Sequence, residues 1–213
     1  MNKLKISDII KMPKRTNKKK SGQEGFLKSN YRKAFAFLKK SKAYIITIAL
    51  IFILSALAGL LSPPYAPDLM LNAIKELIEK TEGMNPLQLF VFIFQNNITN
   101  IFFGMLLGIV LGIFPVVITL FNGYFTGFVA GRAVDASGYG ILLKLIPHGI
   151  FELPALVIAM AVGARFGMFV FTKNKKEDFL YCLESSLRIF LFIILPLLLI
   201  AAIIETVAIF FFR

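Results

Sequence analysis

A stretch of 49 residues without a charged side chain, 83–131, constrains this chain more than any other feature of its sequence. As a single helix it would measure about 73 Å, more than twice the ~30 Å hydrocarbon core of a bilayer. The stretch must therefore fold back on itself, and residues 112–115, which contain Gly112 and Pro115, are the best place for the turn. We expect one membrane span near 87–111 and another near 115–131.

Three further segments are long and apolar enough to cross a membrane: 43–61, 145–171 and 189–212. The chain is 57 % apolar and 17 % charged, whereas soluble domains are nearer 45–50 % and about 25 %. A soluble enzyme and a disordered chain are therefore excluded, and a single cysteine excludes a disulfide scaffold. The predicted fold is all-α, a polytopic membrane helix bundle of about five spans.

Positive charge is concentrated at the start of the chain. Residues 1–44 carry 14 Lys or Arg and 2 acidic residues, whereas the remaining 169 carry 10 of each. Because this arm directly precedes a span, we expect it to be cytoplasmic and to contact anionic lipid rather than nucleic acid. We divide the chain into an arm, 1–42, and a transmembrane domain, 43–213.

Within the arm, apolar residues at helical spacing predict a short amphipathic helix on the inner membrane surface, with a solvated linker as the alternative. They are Leu27, Tyr31, Ala34, Phe35 and Leu38.

A second amphipathic helix is predicted between the first two spans, from a cap at Asp68 to about Glu82, with Gly83 as its end. Glu76 and Lys80 should form an i,i+4 pair on it. With five spans, the lysine-rich loop predicted at 172–188 lies inside and this acidic helix lies outside, as the positive-inside rule requires. We expect the N-terminus in the cytoplasm and the C-terminus outside the cell membrane.

Small residues recur every fourth position on three predicted spans. Such spacing allows helix backbones to approach closely in a membrane. The pattern of a glycine zipper predicts tight packing within the chain, a homo-oligomer, or both. The glycines concerned are Gly104, Gly108 and Gly112, then Gly123, Gly127 and Gly131, then Gly163 and Gly167.

Ionisable and amide side chains inside the predicted spans form the candidate site. His148 and Glu152 are four residues apart, so they share a helix face. Pro154 leaves the carbonyl of Ile150 without its helical donor and is expected to interrupt the helix. Glu205 lies at a similar depth in the last span. Amides at Asn96, Asn97, Asn100 and Asn122 are expected to reach the same layer. Arg165 is expected to extend to the cytoplasmic interface as an anchor.

Several roles are open for this layer. The polar groups can bond to one another and hold the bundle together, or Glu152 and Glu205 can titrate in a proton- or cation-coupled site with His148 as relay. A divalent metal site is a third reading. One histidine excludes an HExxH zinc protease, and no motif predicts a nucleotide or other cofactor, so an enzyme is the least favoured class.

The block containing His148, Gly149, Glu152, Leu153 and Ala155 resembles the signature of the stage II sporulation protein M family. Asn96-Asn97 before the first glycine row and Asn122-Gly123 after it add to the likeness. The resemblance implies a multi-pass membrane protein of bacteria and archaea in which His148 and Glu152 matter. In spore formers such a protein scaffolds a complex with peptidoglycan-degrading enzymes, which makes cell-envelope proteins expected partners.

Two hypotheses follow. The first is a non-enzymatic membrane scaffold that assembles partners or copies of itself. The second is a small transporter or channel that uses His148, Glu152 and Glu205. A scaffold needs these carboxyl groups neutral and hydrogen-bonded, whereas a transporter needs them accessible to water and able to change charge.

Overall fold

The structure is a computed structural model that describes residues 25–62, 72, 75–76 and 79–211, with side chains except at 141–148 and 211. Within these residues every regular element is a helix. The α-helices are α1 (Phe26–Lys40), α2 (Lys42–Leu60), α3 (Pro86–Leu106), α4 (Ile113–Ser137), α5 (Leu142–Phe166), α6 (Lys175–Ile189) and α7 (Leu195–Phe211).

Short turns of other helix types extend these elements. Turns of 3₁₀ helix occupy Leu107–Ile109, Tyr139–Ile141 and Gly167–Phe171. A π-helical turn at Phe190–Ile194 joins α6 directly to α7.

Five helical segments are long and apolar enough to span a membrane, which confirms the all-α, five-span prediction. They are Lys42–Leu60, Pro86–Ile109, Ile113–Ser137, Gly149–Phe171 and Lys175–Phe210. Outside the described residues lie the N-terminal tail, Asp68, the C-terminal Arg213 and the apolar face of the predicted outer amphipathic helix, which consists of Leu71, Ile74, Leu77 and Ile78.

The hairpin predicted inside the uncharged stretch is present, with its turn at residues 110–112. Leu111 and Gly112 both have left-handed backbone angles, φ 54° and 71°. Pro115 lies in the first turn of α4, where its missing N–H costs nothing. At the start of the hairpin, Asn85 and Gln88 form a capping box that the sequence analysis did not identify.

Two sequence-based expectations are corrected. The loop predicted at 172–188 is only three residues long, because α6 begins at Lys175 and runs on as one helix into α7. The π turn precedes Pro196, whose ring is incompatible with a regular bond to the carbonyl four residues earlier. The helix α5 also continues through Pro154, where a break was expected.

The glycine contacts fix the direction of the helices. Gly123, Gly127 and Gly131 of α4 meet Phe52, Ala56 and Leu60 of α2, so these two helices run parallel. Gly104 of α3 and Gly108 of the 3₁₀ turn after it meet Met160 and Gly163 of α5, so α3 and α5 are also parallel. Successive spans therefore alternate in direction, and α1 and the end of α7 lie at opposite ends of the bundle.

The helix α5 is the centre of the molecule. It packs against α2, α3, α4 and α7, and its residues have the highest buried share of the five spans. Its second half is closed off from the surroundings, with no exposure at Ala155, Ala159, Met160, Ala161 and Val162. The candidate site therefore lies on the helix that every other span contacts.

Candidate functional site

The signature helix α5 positions Glu152 at the level of the asparagines of α3. Met160 lies against Gly104, and Gly163 against Gly108. Because parallel helices rise equally per residue, Glu152 is level with Asn96. Its side chain is partly buried, and its Oε2 atom is fully buried.

Glu205 lies on α7, which packs against both α3 and α5. One turn before it, Ala202 is fully buried in a cluster with Leu89 and Ile93 of α3. That Glu205 and Glu152 lie at a similar depth stays a prediction. The side chain of His148, one turn before Glu152 on α5, is outside the described residues. Like Glu152, Glu205 is partly buried with a buried Oε2.

The amide groups of the predicted layer lie on the outside of the bundle rather than around α5. Asn96, Asn100 and Asn122 are exposed, and Asn97 is half-buried. The Asn100 Nδ2 donates to Asn96 Oδ1 at 3.3 Å, and Asn122 Nδ2 donates to the Ile118 carbonyl at 2.9 Å. That these amides share a functional site with Glu152 and Glu205 stays a prediction.

No group of three potential metal ligands occurs among the side chains that the structure describes. Because the imidazole of His148 is not among them, a site that includes this histidine stays a prediction.

The glycine rows lie at helix contacts within one chain. A Cβ atom at Gly127 would overlap the carbonyl oxygen of Ala56, and one at Gly108 would overlap the carbonyl oxygen of Gly163. At Gly123 it would approach the carbonyl oxygen of Phe52 to 2.6 Å, and at Gly163 that of Met105 to 2.6 Å. These positions accept only glycine if the backbones stay where they are.

Arg165 occupies a buried position that the sequence analysis did not anticipate. It was expected to extend to the interface, but its side chain is only 6 % exposed. Its guanidinium donates to the Phe37 carbonyl at 3.2 Å and to Ser41 Oγ at 2.8 Å, and lies 4.2 Å from the centre of the Phe37 ring. The last turn of α1 therefore covers this cation.

The geometry around Arg165 explains why α1 is fixed to the bundle. Phe37 is in the last turn of α1, at the negative end of the helix dipole, and its carbonyl oxygen also accepts from the backbone N–H and the Oγ of Ser41, both at 2.9 Å. Arg165 supplies both a donor and a positive charge there. The sequence shows a cation thirteen residues after Glu152. Its partners at the α1–α2 junction are revealed only by the docking of α1.

The arm helix also contacts α6. Arg188 donates to Asn30 at 2.9 Å, and Tyr31 packs edge-on against Phe192, with ring centres 5.5 Å apart. Ala34 and Phe37 are buried, whereas Leu27 and Phe35 of the predicted apolar face are exposed. The helix therefore has one face toward the protein and another, apolar face available to lipid.

Comparison with known proteins places this chain in a family. The model of the stage II sporulation protein M family matches residues 48–208, about three quarters of the chain. This is a multi-pass membrane protein of the stage II sporulation protein M family, as the resemblance predicted.

An uncharacterized protein of Methanocaldococcus jannaschii is 28 % identical over 188 residues, which cover 84 % of this chain and 83 % of the relative. No solved structure matches the chain.

Proposed function

We propose that this protein is a non-enzymatic membrane scaffold whose bundle presents surfaces to other proteins or to further copies of itself. The observation that supports it best is the filled centre of the bundle. Residues of α5 without exposure are enclosed by four other helices whose backbones meet at glycines. A core packed in this way is suited to holding a fixed shape.

An apolar groove supports the same reading. A groove of about 540 Å³ between α2, the hairpin turn and the end of α5 is lined mainly by apolar residues such as Ile48, Val116 and Met168. Neither Glu152 nor Glu205 lines it. A transport path would have to bring water to these carboxyl groups, and this groove does not do so.

The proposed orientation has the arm in the cytoplasm and the end of α7 outside. At one end of the bundle lie Lys39, Lys40 and Lys42 together with Lys173 and Lys175 near the short loop before α6. The positive-inside rule assigns that end to the cytoplasm, where the basic arm meets anionic lipid.

The second candidate is a proton- or cation-coupled transporter. It is favoured by the two glutamates whose Oε2 atoms are buried within membrane-spanning helices, a costly placement that often marks a functional group.

Flux measurements on purified protein in vesicles separate the two functions. A pH-sensitive dye and a cation-sensitive dye are enclosed in the vesicles. If the protein is a scaffold, vesicles that contain it should leak no faster than protein-free vesicles. Flux that depends on the protein and is abolished by Glu152→Gln would establish transport instead. Photo-crosslinkers at exposed Leu54 and at buried Met160 then test assembly in cells, since only the exposed position should give discrete protein adducts.

A further inference from the structure

The outward face of α3 is polar at its centre and apolar at both ends. One row of exposed side chains spaced by four residues runs along it, and the two central members are polar. The row consists of Leu87, Val91, Gln95, Thr99, Phe103 and Leu107. Beside the central pair, Asn96 and Asn100 are also exposed.

The helix α4 adds polar groups at the same depth. Asn122 and Thr126 are exposed near the middle of α4. One turn closer to the hairpin turn, Ile118 of α4 lies against Gly104 of α3, so Asn100 and Asn122 are at the same level. Both are ten residues, about 15 Å, from the turn, which is half the thickness of the hydrocarbon core. We call these six residues the amide face: Gln95, Asn96, Thr99, Asn100, Asn122 and Thr126.

Lipid chains cannot satisfy this face. Each amide has two N–H donors and a carbonyl acceptor. The bond from Asn100 to Asn96 and the bond from Asn122 to the Ile118 carbonyl each use one donor of the side chain. Hydrocarbon offers neither donor nor acceptor, so polar side chains at this depth normally lie against another helix.

We propose that the amide face binds the same face of a second copy of this chain about a two-fold axis perpendicular to the membrane. Amides both donate and accept, so the face is complementary to itself. A second copy inserted in the same orientation presents its amides at the same depth. The proposal extends the scaffold function by naming the surface through which copies assemble.

The glycine rows are not available as a surface for binding a second copy. They suggested an oligomer from the sequence, but Gly108, Gly123 and Gly127 contact backbone of their own chain. The polar centre of α3 and α4 is left as the surface with directional bonding capacity.

Oxidative cross-linking in vesicles tests the proposal. In a Cys182→Ser background, Asn100→Cys should form a covalent dimer, whereas Ile203→Cys on the exposed side of α7 should not. Strong cross-linking at both positions would indicate random collision, and its absence at position 100 would show that the face is not the interface. Either result would overturn the proposal.

Energy transfer between labelled copies gives an independent measurement. Asn96→Leu with Asn100→Leu should weaken dimerisation by about tenfold, because interhelical hydrogen bonds are lost. Asn100→Gln, which keeps an amide, and Val207→Leu on the exposed side of α7 should dimerise like the parent.

A parent protein that stays monomeric at high density, or an Asn100→Cys variant that cross-links only to a different protein in cells, would refute the second copy as occupant. The scaffold function would still stand in that case, because it depends on the vesicle flux result and on adducts at Leu54.

Discussion

Arg165 is a single side chain that joins three parts of the molecule: α5, the end of α1 and the first residue after it, Ser41. We expect Arg165→Lys to destabilise the protein by about 1–3 kcal/mol, since hydrogen bonds of a charged group are lost and an ammonium lacks the planar fork. Loosening of α1 should accompany this loss. Thermal stability in detergent and the rate of tryptic cleavage within 26–42 measure both effects.

Ser41→Ala is the matched control for Arg165. It removes one acceptor and keeps the cation and the Phe37 ring contact, so the loss should be smaller and of the same sign. Parental stability and parental cleavage of Arg165→Lys would show that the buried guanidinium does not hold α1.

Two substitutions at Glu152 distinguish the scaffold hypothesis from the transporter hypothesis. If the protein is a scaffold, Glu152→Gln should be mild, because an amide keeps the shape and the bonding capacity. Glu152→Leu should cost about 1–3 kcal/mol, because polar partners in the bundle lose their acceptor. Thermal unfolding of the two variants gives the comparison; equal stability of both would argue against a structural role for the carboxyl group.

At the scale of elements, the contact of α2 with α4 permits a graded test. A Cβ atom at Gly127 would overlap backbone, one at Gly131 would lie 3.1 Å from the Leu60 carbonyl oxygen, and one at Gly140 would meet nothing within 4 Å. Gly127→Ala should therefore destabilise most, by about 1–3 kcal/mol, Gly131→Ala less, and Gly140→Ala little. Unfolding midpoints in that order are the expected result; three equal values would contradict the packing.

The sequence predicted which segments are helices better than it predicted which surfaces meet. Uncharged length and loop charges specify five spans, because a bilayer excludes charge. The docking of α1 was missed because Phe37 lies off the apolar row that suggests a lipid-facing helix. The exposed position of Asn96 and Asn100 was missed too, since helix periodicity reports a shared face without saying what covers it.

The whole molecule can be tested for its orientation. In a Cys182→Ser background, a membrane-impermeant thiol reagent added to intact cells should label Glu79→Cys and should not label Lys175→Cys. Glu79 belongs to the segment before α3, and Lys175 begins α6 at the opposite end. Labelling in the reverse pattern would invert the topology, and labelling of both would require an even number of spans between them.

The parallel arrangement of α2 and α4 has a consequence for biosynthesis. The ribosome releases α2 first, and the helix that covers Phe52, Ala56 and Gly59 emerges only after another complete span has been made. For that interval α2 resides in the bilayer without its closest neighbour, stable as a span but not yet part of a tertiary structure. Because the turn between α3 and α4 is uncharged, the hairpin can enter the membrane as one unit and bring the missing partner with it. The order of synthesis therefore sets the order in which the bundle closes.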